Sequence, residues 1–512
     1  MDFTGYVGGG PCQGREVAAV DWSRRFLRAA NCTGLSLIVS GCAAVGPNYV
    51  APTPQVPASF AEAPAGASAE TGKTQPMDNA WWKDLGDPIL ENLLTQALKS
   101  APEIAEAQAR VREARALTGI AGAGRYPTAD AGGEYTRNLG SNGVPTGVPP
   151  GGLGPGIHSN LWQAGFDASW EIDIFGSERR RIEAAQATYQ AVIDDRADVV
   201  LTLLAEVARD YVELRGAQRR IEVARENLAI EKDLETLTKS LLTAGLAPQQ
   251  DLLRAQAQVS DIEATIPNIE SDERTAAYRI AALVDEPFTE ITAKLSVPRP
   301  IPKAVSEVPI GLPSELLERR PDVRAAERRI AAANARIGIA QADLYPQFSL
   351  TAATGLESLN FSSFSSASSG YYQIGPGISW RIFDAGRIRF QVQAELARTD
   401  AAVAAYRRSM LDAFRDVETA LVSYANTTVR RNNLAAESAA DAQATKIAKL
   451  LYEKGVESFL PVLDAERSLY AADDALAQSD RDCALALIAL YKSLGGGWRT
   501  ASAEVATSSI PR

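Results

Sequence analysis

The chain is 512 residues long, with 46% apolar residues, 22% charged residues and a formal net charge of −11. That composition describes a folded chain rather than a disordered one. The acidic balance disfavours a nucleic-acid partner, whose phosphates need a basic face. No apolar run reaches the roughly 20 residues of a spanning helix, so any membrane crossing must be made by strands.

Residues 1–41 read as a lipoprotein signal peptide. Arg24, Arg25 and Arg28 precede the short apolar run Leu35-Ser36-Leu37-Ile38-Val39 and then small residues, the order of an export signal. Val39-Ser40-Gly41-Cys42 resembles the bacterial lipoprotein box, in which Cys42 is lipidated and becomes the first residue. Ala43, where an Asp would hold such a protein back, suits delivery to the outer membrane. Residues 42–80, rich in Pro, Ala and Gly, are expected to form an extended arm leading from the lipid. Of the remaining cysteines, only Cys483 lies in the body. It sits among Ala and Leu at helical spacing and reads as a small buried hydrophobe, and no disulfide framework is implied.

From there the chain repeats itself. Pro102-Glu103-Ile104 matches Pro321-Asp322-Val323 at a shift of 219, and Tyr126-Pro127 matches Tyr345-Pro346 at the same shift. Beyond this the shift becomes 210: Gln163, Gly165, Ser169, Trp170 and Gly176 match Gln373, Gly375, Ser379, Trp380 and Gly386, and Gly245 matches Gly455. The change falls in a Gly- and Pro-rich loop, longer in the first half, whose counterpart is Ser-rich. The two repeats span residues 81–285 and 313–498. Residues 286–312 between them, dense in proline, read as an extended connector, and residues 499–512 as a disordered tail.

Each repeat reads helix, strand, loop, strand, long helix, turn, helix. In the second strand Trp162, Ala164, Phe166, Ala168, Trp170 and Ile172 alternate with polar or small residues. The fourth does the same from Tyr372 to Phe383. Period two puts one set on each face, and about 10 residues is the length of a tilted membrane strand. The long helices are expected over Ser177–Thr243 and Arg387–Glu453, roughly 100 Å each. Val207, Leu214, Ile221 and Leu228 recur every seven residues, a coiled-coil seam. Gly245 with Pro248, and Gly455 with Pro461, punctuate the turns into returning helices.

Four membrane-length strands cannot bury their own edges in lipid. Closure needs more than one chain, and three copies supply twelve strands, enough for an open lumen. The expected fold is therefore an α+β membrane protein: a trimeric 12-stranded β-barrel, four strands per chain, continuous with a long α-helical periplasmic barrel. Gln163, Asp167, Glu171, Asp173, Gln373 and Arg381 are the candidate lumen residues.

Taken together, several motifs resemble those of TolC-like outer-membrane efflux proteins, in the NodT-type lipoprotein branch that serves resistance-nodulation-division pumps. They are Cys42 with Val45-Gly46-Pro47-Asn48-Tyr49; Trp81-Trp82 with Leu85, Asp87-Pro88 and Leu90; the two Tyr-Pro pairs; Pro321-Asp322; Gly245 with Asp251-Leu252-Leu253; Leu463-Asp464-Ala465 with Arg467; and Leu494-Gly495-Gly496-Gly497-Trp498. Ala101 stands where the family usually has Asn. The resemblance covers residues 42–498. It implies a homotrimeric, passive exit duct that docks on a periplasmic adaptor and an inner-membrane pump, sits in outer-membrane lipid and carries no cofactor. It also places a periplasmic gate at the turn of Leu460 and Asp464; Arg467, near the same helix face, is expected to pair with an acid on an adjacent helix and complete it. The turns around Gly245, Leu246, Asp251, Leu252, Gly455 and Val456 lie one long helix from the strands and are the expected adaptor-docking tips.

An enzyme reading finds no site. The sole histidine, His158, lies in the Gly/Pro-rich stretch, no Cys/His cluster has ligand spacing, and the serines of 357–370 have no accompanying base. A coiled-coil lipoprotein spacer is the structural alternative, for which the alternating strands have no use. A duct of the same fold for type I protein secretion is another.

Overall fold

The computed structural model describes residues 44–54, 56–62, 80–139, 158–302 and 313–498. Cys42, the signal segment, the loop 140–157 and the tail 499–512 lie outside the described residues. The elements in chain order are α1 (Pro88–Ser100), α2 (Pro102–Ala123), β1 (Thr128–Leu139), β2 (His158–Ile172), α3 (Ser177–Thr243), α4 (Gln249–Val284), α5 (Phe288–Leu295), α6 (Pro313–Arg319), α7 (Pro321–Ala342), β3 (Gln347–Ser358), β4 (Gly370–Ser379), α8 (Arg387–Glu453) and α9 (Phe459–Ser493).

The repeat shapes the packing. α2 lies on α3 as α7 lies on α8, and α3 pairs with α4 as α8 pairs with α9. The four strands form one antiparallel sheet in the order β1-β2-β3-β4. The β2–β3 pairing joins the two repeats, with Trp162 opposite Ser358 and Ile172 opposite Phe348. At the base of the sheet the repeats use the same device twice. The Trp170 indole donates to the Arg125 carbonyl just past α2, and the Trp380 indole to the Leu344 carbonyl just past α7. Each bond gives an amphipathic ring a fixed polar anchor at the strand end.

Two departures from the sequence reading have local causes. The connector is not wholly extended: between Pro287 and Pro298 no proline interrupts, and α5 forms there, burying Ile291 and Leu295. Its C-terminal end is held by the fully buried Arg215, whose Nη1 donates to the Val297 carbonyl at 2.9 Å. β4 ends at Ser379 rather than running to Phe383. The chain turns instead into an Asp384 cap, whose carboxylate accepts from the Gly386 and Ile388 amides ahead of α8. Those two bonds to the ionised form hold the Asp384 carboxyl below its ordinary pKa.

Halfway down the helices a core joins the segment before α1 to the segment after α9. Trp81 stacks on Tyr491 with centroids 5.2 Å apart. The Tyr211 hydroxyl meets Asp87, which caps α1, and Trp498 donates its indole N–H to the Arg319 carbonyl. From this level an arm runs back to the sheet. Phe60 is buried with Leu316 and Val323, Ala61 and Glu62 donate their amides to Glu418, and Tyr49 bonds Glu327. Arg180 then takes the carbonyls of Val45 and Gly46 and the side chain of Asn48. Val45 itself donates to the Phe175 carbonyl at 3.0 Å, at the foot of β2.

Candidate functional site: sheet faces and hairpin tips

Register sorts the sheet residues onto two faces, because directly opposed residues point the same way. One face carries Tyr135, Trp162, Phe166, Trp170, Leu350, Leu356, Tyr372, Ile374 and Ile378. Phe166, Tyr372, Ile374 and Ile378 on it are all exposed. The other carries Asp130, Glu134, Gln163, Asp167, Ser169, Glu171, Thr351, Glu357 and Gln373. Glu134 and Glu357 flank Gln163, and Asp130 opposes Asp167. This polar face holds five carboxylates and, among the described strand residues, no lysine or arginine. Tyr371 lies on it across Gly165, its hydroxyl accepting from the Gln163 amide at 3.2 Å.

Of the six lumen candidates, Gln163, Asp167, Glu171 and Gln373 stand on the polar face. Asp173 and Arg381 lie past the strand ends. Asp173 is engaged by Arg179 at the start of α3. His158 is the first residue of β2, opposite Leu139. Cys483 is buried.

The far ends of the hairpins are built alike. At the end of α3 the Gly245 amide donates to Leu242 O and the Leu246 amide to Leu241 O. At the end of α8 the Gly455 amide donates to Tyr452 O and the Val456 amide to Leu451 O. This is one helix-terminating motif used twice, 210 residues apart. It requires φ of +74° at Gly245 and +69° at Gly455, the left-handed region that glycine enters without cost. Each motif pushes an apolar side chain into solvent: Leu246 is 75% exposed and Val456 70%. Asp251 and Leu252 are half-buried at the start of α4.

On α9, Leu460, Asp464 and Arg467 share an exposed face, while Phe459, Val462, Leu463 and Glu466 turn inward. Arg467 Nε donates to the Gln258 amide oxygen of α4 at 2.7 Å. The partner is thus an amide, not the acid expected, and it ties the α8–α9 hairpin to the α3–α4 hairpin. Composition alone offered no sign of Gln258, which is 209 residues away in sequence.

No helix among the described residues is long and apolar enough to cross a membrane, and no group of three or more His, Cys, Asp or Glu among them is placed to hold a metal ion.

The chain matches the outer membrane efflux protein family over residues 93–285 and 312–496, nearly the whole of both repeats. It is 33% identical over 423 residues to the pyoverdine export outer membrane protein OpmQ of Pseudomonas aeruginosa, covering 82% of this chain and 88% of that one. To nodulation protein T of Rhizobium leguminosarum it is 29% identical over 466 residues, covering 91% and 92%. The solved outer-membrane channel OprN superposes with a TM-score of 0.82 at 34% identity, covering 89% of this chain and 99% of OprN. With its two-faced sheet, its paired hairpins and these likenesses along almost its whole length, the chain belongs to the outer membrane efflux protein family, as a TolC-like channel protein of the NodT type that sits in the outer membrane and projects into the periplasm.

Proposed function

We propose that three copies of this chain close into one passive exit duct, which carries small molecules outward from an inner-membrane pump and a periplasmic adaptor. One observation carries the reading. The sheet separates an apolar from a polar face yet leaves the outer edges of β1 and β4 unpaired among the described residues. In lipid such edges are untenable, and closure on neighbouring copies satisfies them. The repeat supplies the joint. Within the chain α3 packs on α7 and β2 on β3; between chains α8 packs on α2 of the partner subunit and β4 on its β1. The exposed apolar side chains Phe390, Leu396, Val403 and Leu411 of α8, and Leu117 and Ile120 of α2, are those this contact covers. The apolar sheet face then meets lipid, and the polar face lines the lumen with its carboxylates.

The adaptor docks at the hairpin tips, where Gly245 and Gly455 build equivalent turns, two per chain and so six per trimer. Leu460, Asp464 and Arg467 stand at the periplasmic narrowing. Lipidation of Cys42 suits an arm whose described part begins at Ala44, packed on Gly176 at the foot of the sheet.

The test is a register. Carrying the β2–β3 pairing through the two repeat shifts sets Gly377 opposite Glu134 of the partner subunit. A Gly377→Cys/Glu134→Cys variant should oxidise to a covalent trimer that conducts in a planar bilayer. Monomers that stay uncross-linked, or a dimer that conducts, overturn the closure.

A further inference from the structure

Near the hairpin tips, two buried carboxyls come together with no hydrogen-bond donor among the described residues. Glu231 of α3 is 0% exposed and Glu466 of α9 is 2% exposed. None of their four carboxylate oxygens receives a hydrogen bond from a described donor, yet the two groups lie within hydrogen-bonding reach of each other. Two ionised carboxylates so placed repel, and burial strips away the water that would relieve them. The charged groups acting on the pair are Lys449 from α8 and Arg467 from α9. From α4 comes uncharged Gln258, already occupied by Arg467. Tipward of the pair the packing is apolar, with Leu234 and Ala255 of the first hairpin against Tyr452, Phe459, Val462 and Leu463 of the second. Glu231 stands twelve residues before the end of α3 and Glu466 seven after the start of α9, roughly 10–18 Å from the turns.

We propose that Glu231 and Glu466 form a proton-binding site that latches α3 to α9: one shared proton holds the two hairpins together, and its loss drives them apart at the periplasmic tip. The proposal rests on reading that tip as an aperture that opens. In the closed tip the proton sits on one carboxyl and is donated to the carboxylate of the other. On opening it passes to water, and both carboxylates become hydrated. Lys449 and Arg467 each draw the pair back toward ionisation, which makes the latch reversible rather than permanent.

Burial, with repulsion from Glu231 behind it, pushes the Glu466 carboxyl up to about 8 from its ordinary 4.5, and burial raises Glu231 as well. The closed tip therefore binds more protons than the open one across that interval. The latch is fully present below the ordinary carboxylate range and is lost as pH rises through about 8. The two groups titrate as a pair, so the transition belongs to both.

The experiment uses full-length trimer in planar bilayers, with the parent compared with Glu466→Gln and Glu231→Gln. Each glutamine keeps the size and cannot ionise. Parent conductance should rise about tenfold between about pH 6 and about pH 9, and both variants should stay low and flat. A rise in the variants equal to the parent's overturns the latch. Infrared spectra of the same samples at neutral pH read the proton directly. The parent should show the carbonyl band of a buried protonated carboxyl, reduced in Glu466→Gln, and a parent without that band refutes the site. A trimer that conducts at no pH counts against the duct itself, and the infrared band then still decides whether the proton is there.

Discussion

Gly46 of the arm crosses Gly338 of α7 so closely that a Cβ on Gly46 would stand 2.5 Å from the Gly338 Cα, and one on Gly338 would stand 2.8 Å from the Val45 carbonyl oxygen. Two glycines meeting without side chains let the arm lie against the helix while Arg180 binds its carbonyls. Gly338→Val should unseat the arm at a cost of roughly 1–3 kcal/mol, the usual range for overfilling a packed site. Arg180→Ala should do the same by removing the donors. Limited proteolysis between residues 44 and 62 reads the outcome. An arm as protected as the parent's would show that the crossing does not hold it.

At the hairpin tips the glycines and the apolar residues beside them should separate. Gly245→Ala and Gly455→Ala meet no neighbour within 4 Å, so the cost is the left-handed backbone alone, about 1 kcal/mol each. Leu246→Glu and Val456→Glu should leave thermal stability unchanged and abolish capture of the trimer by immobilised adaptor. Capture at parental affinity by the glutamate pair would remove the tips from the docking surface.

For the proposed gate, Asp464→Ala should reduce cation preference, because three carboxylates near a threefold axis attract cations. Leu460→Ala and Arg467→Ala should raise single-channel conductance. The Arg467–Gln258 bond is partly exposed, so its loss is worth about 1 kcal/mol, enough to shift a closed–open equilibrium about fivefold. Traces matching the parent for all three variants would leave these residues as ordinary hairpin surface.

The two sheet faces should answer differently to the same substitution. Phe166→Arg, near the middle of β2 on the apolar face, should cost roughly 2–4 kcal/mol in lipid. Ser169→Arg, on the polar face, should leave stability near parental and shift ion selectivity toward anions. Thermal unfolding in liposomes and reversal potentials measure the pair. Equal destabilisation by both would contradict the assignment of faces.

Cys42→Ser should lose the lipid and still give barrel-inserted trimer, since a closed barrel supplies its own membrane burial. Metabolic fatty-acid labelling and the mass of the extracted protein test the two halves. Label retained by the variant would move the anchor elsewhere.

The long helices were legible in the sequence, because no proline interrupts them and glycines stand beside their ends, Gly176 and Gly386 before, Gly245 and Gly455 after; the structure puts all four in left-handed backbone. The strands were legible in their alternation, but β4 was read four residues too long. Trp380 and Ile382 continue the apolar alternation after the backbone has left the ladder, and alternation reports chemistry rather than hydrogen bonding. α5 is hidden in a connector dense in proline, because Pro287 and Pro298 bracket the helix rather than interrupt it. Arg467 and Gln258 could not be paired from local signals, since the contact joins two hairpins. Glu231 and Glu466 did leave a trace, each being an acid with apolar residues three or four positions to either side, Leu228 and Leu234 for one and Val462, Leu463, Leu469 and Tyr470 for the other.

Because the described sheet of one chain stops at two open edges, the proposed trimer has a pore that no single polypeptide owns. In a cell making equal amounts of sound and closure-defective chains, random assembly leaves about one trimer in eight free of the defect. A substitution at an edge strand should thus behave as a dominant poison in a merodiploid. A null allele, which contributes no chains, should be recessive.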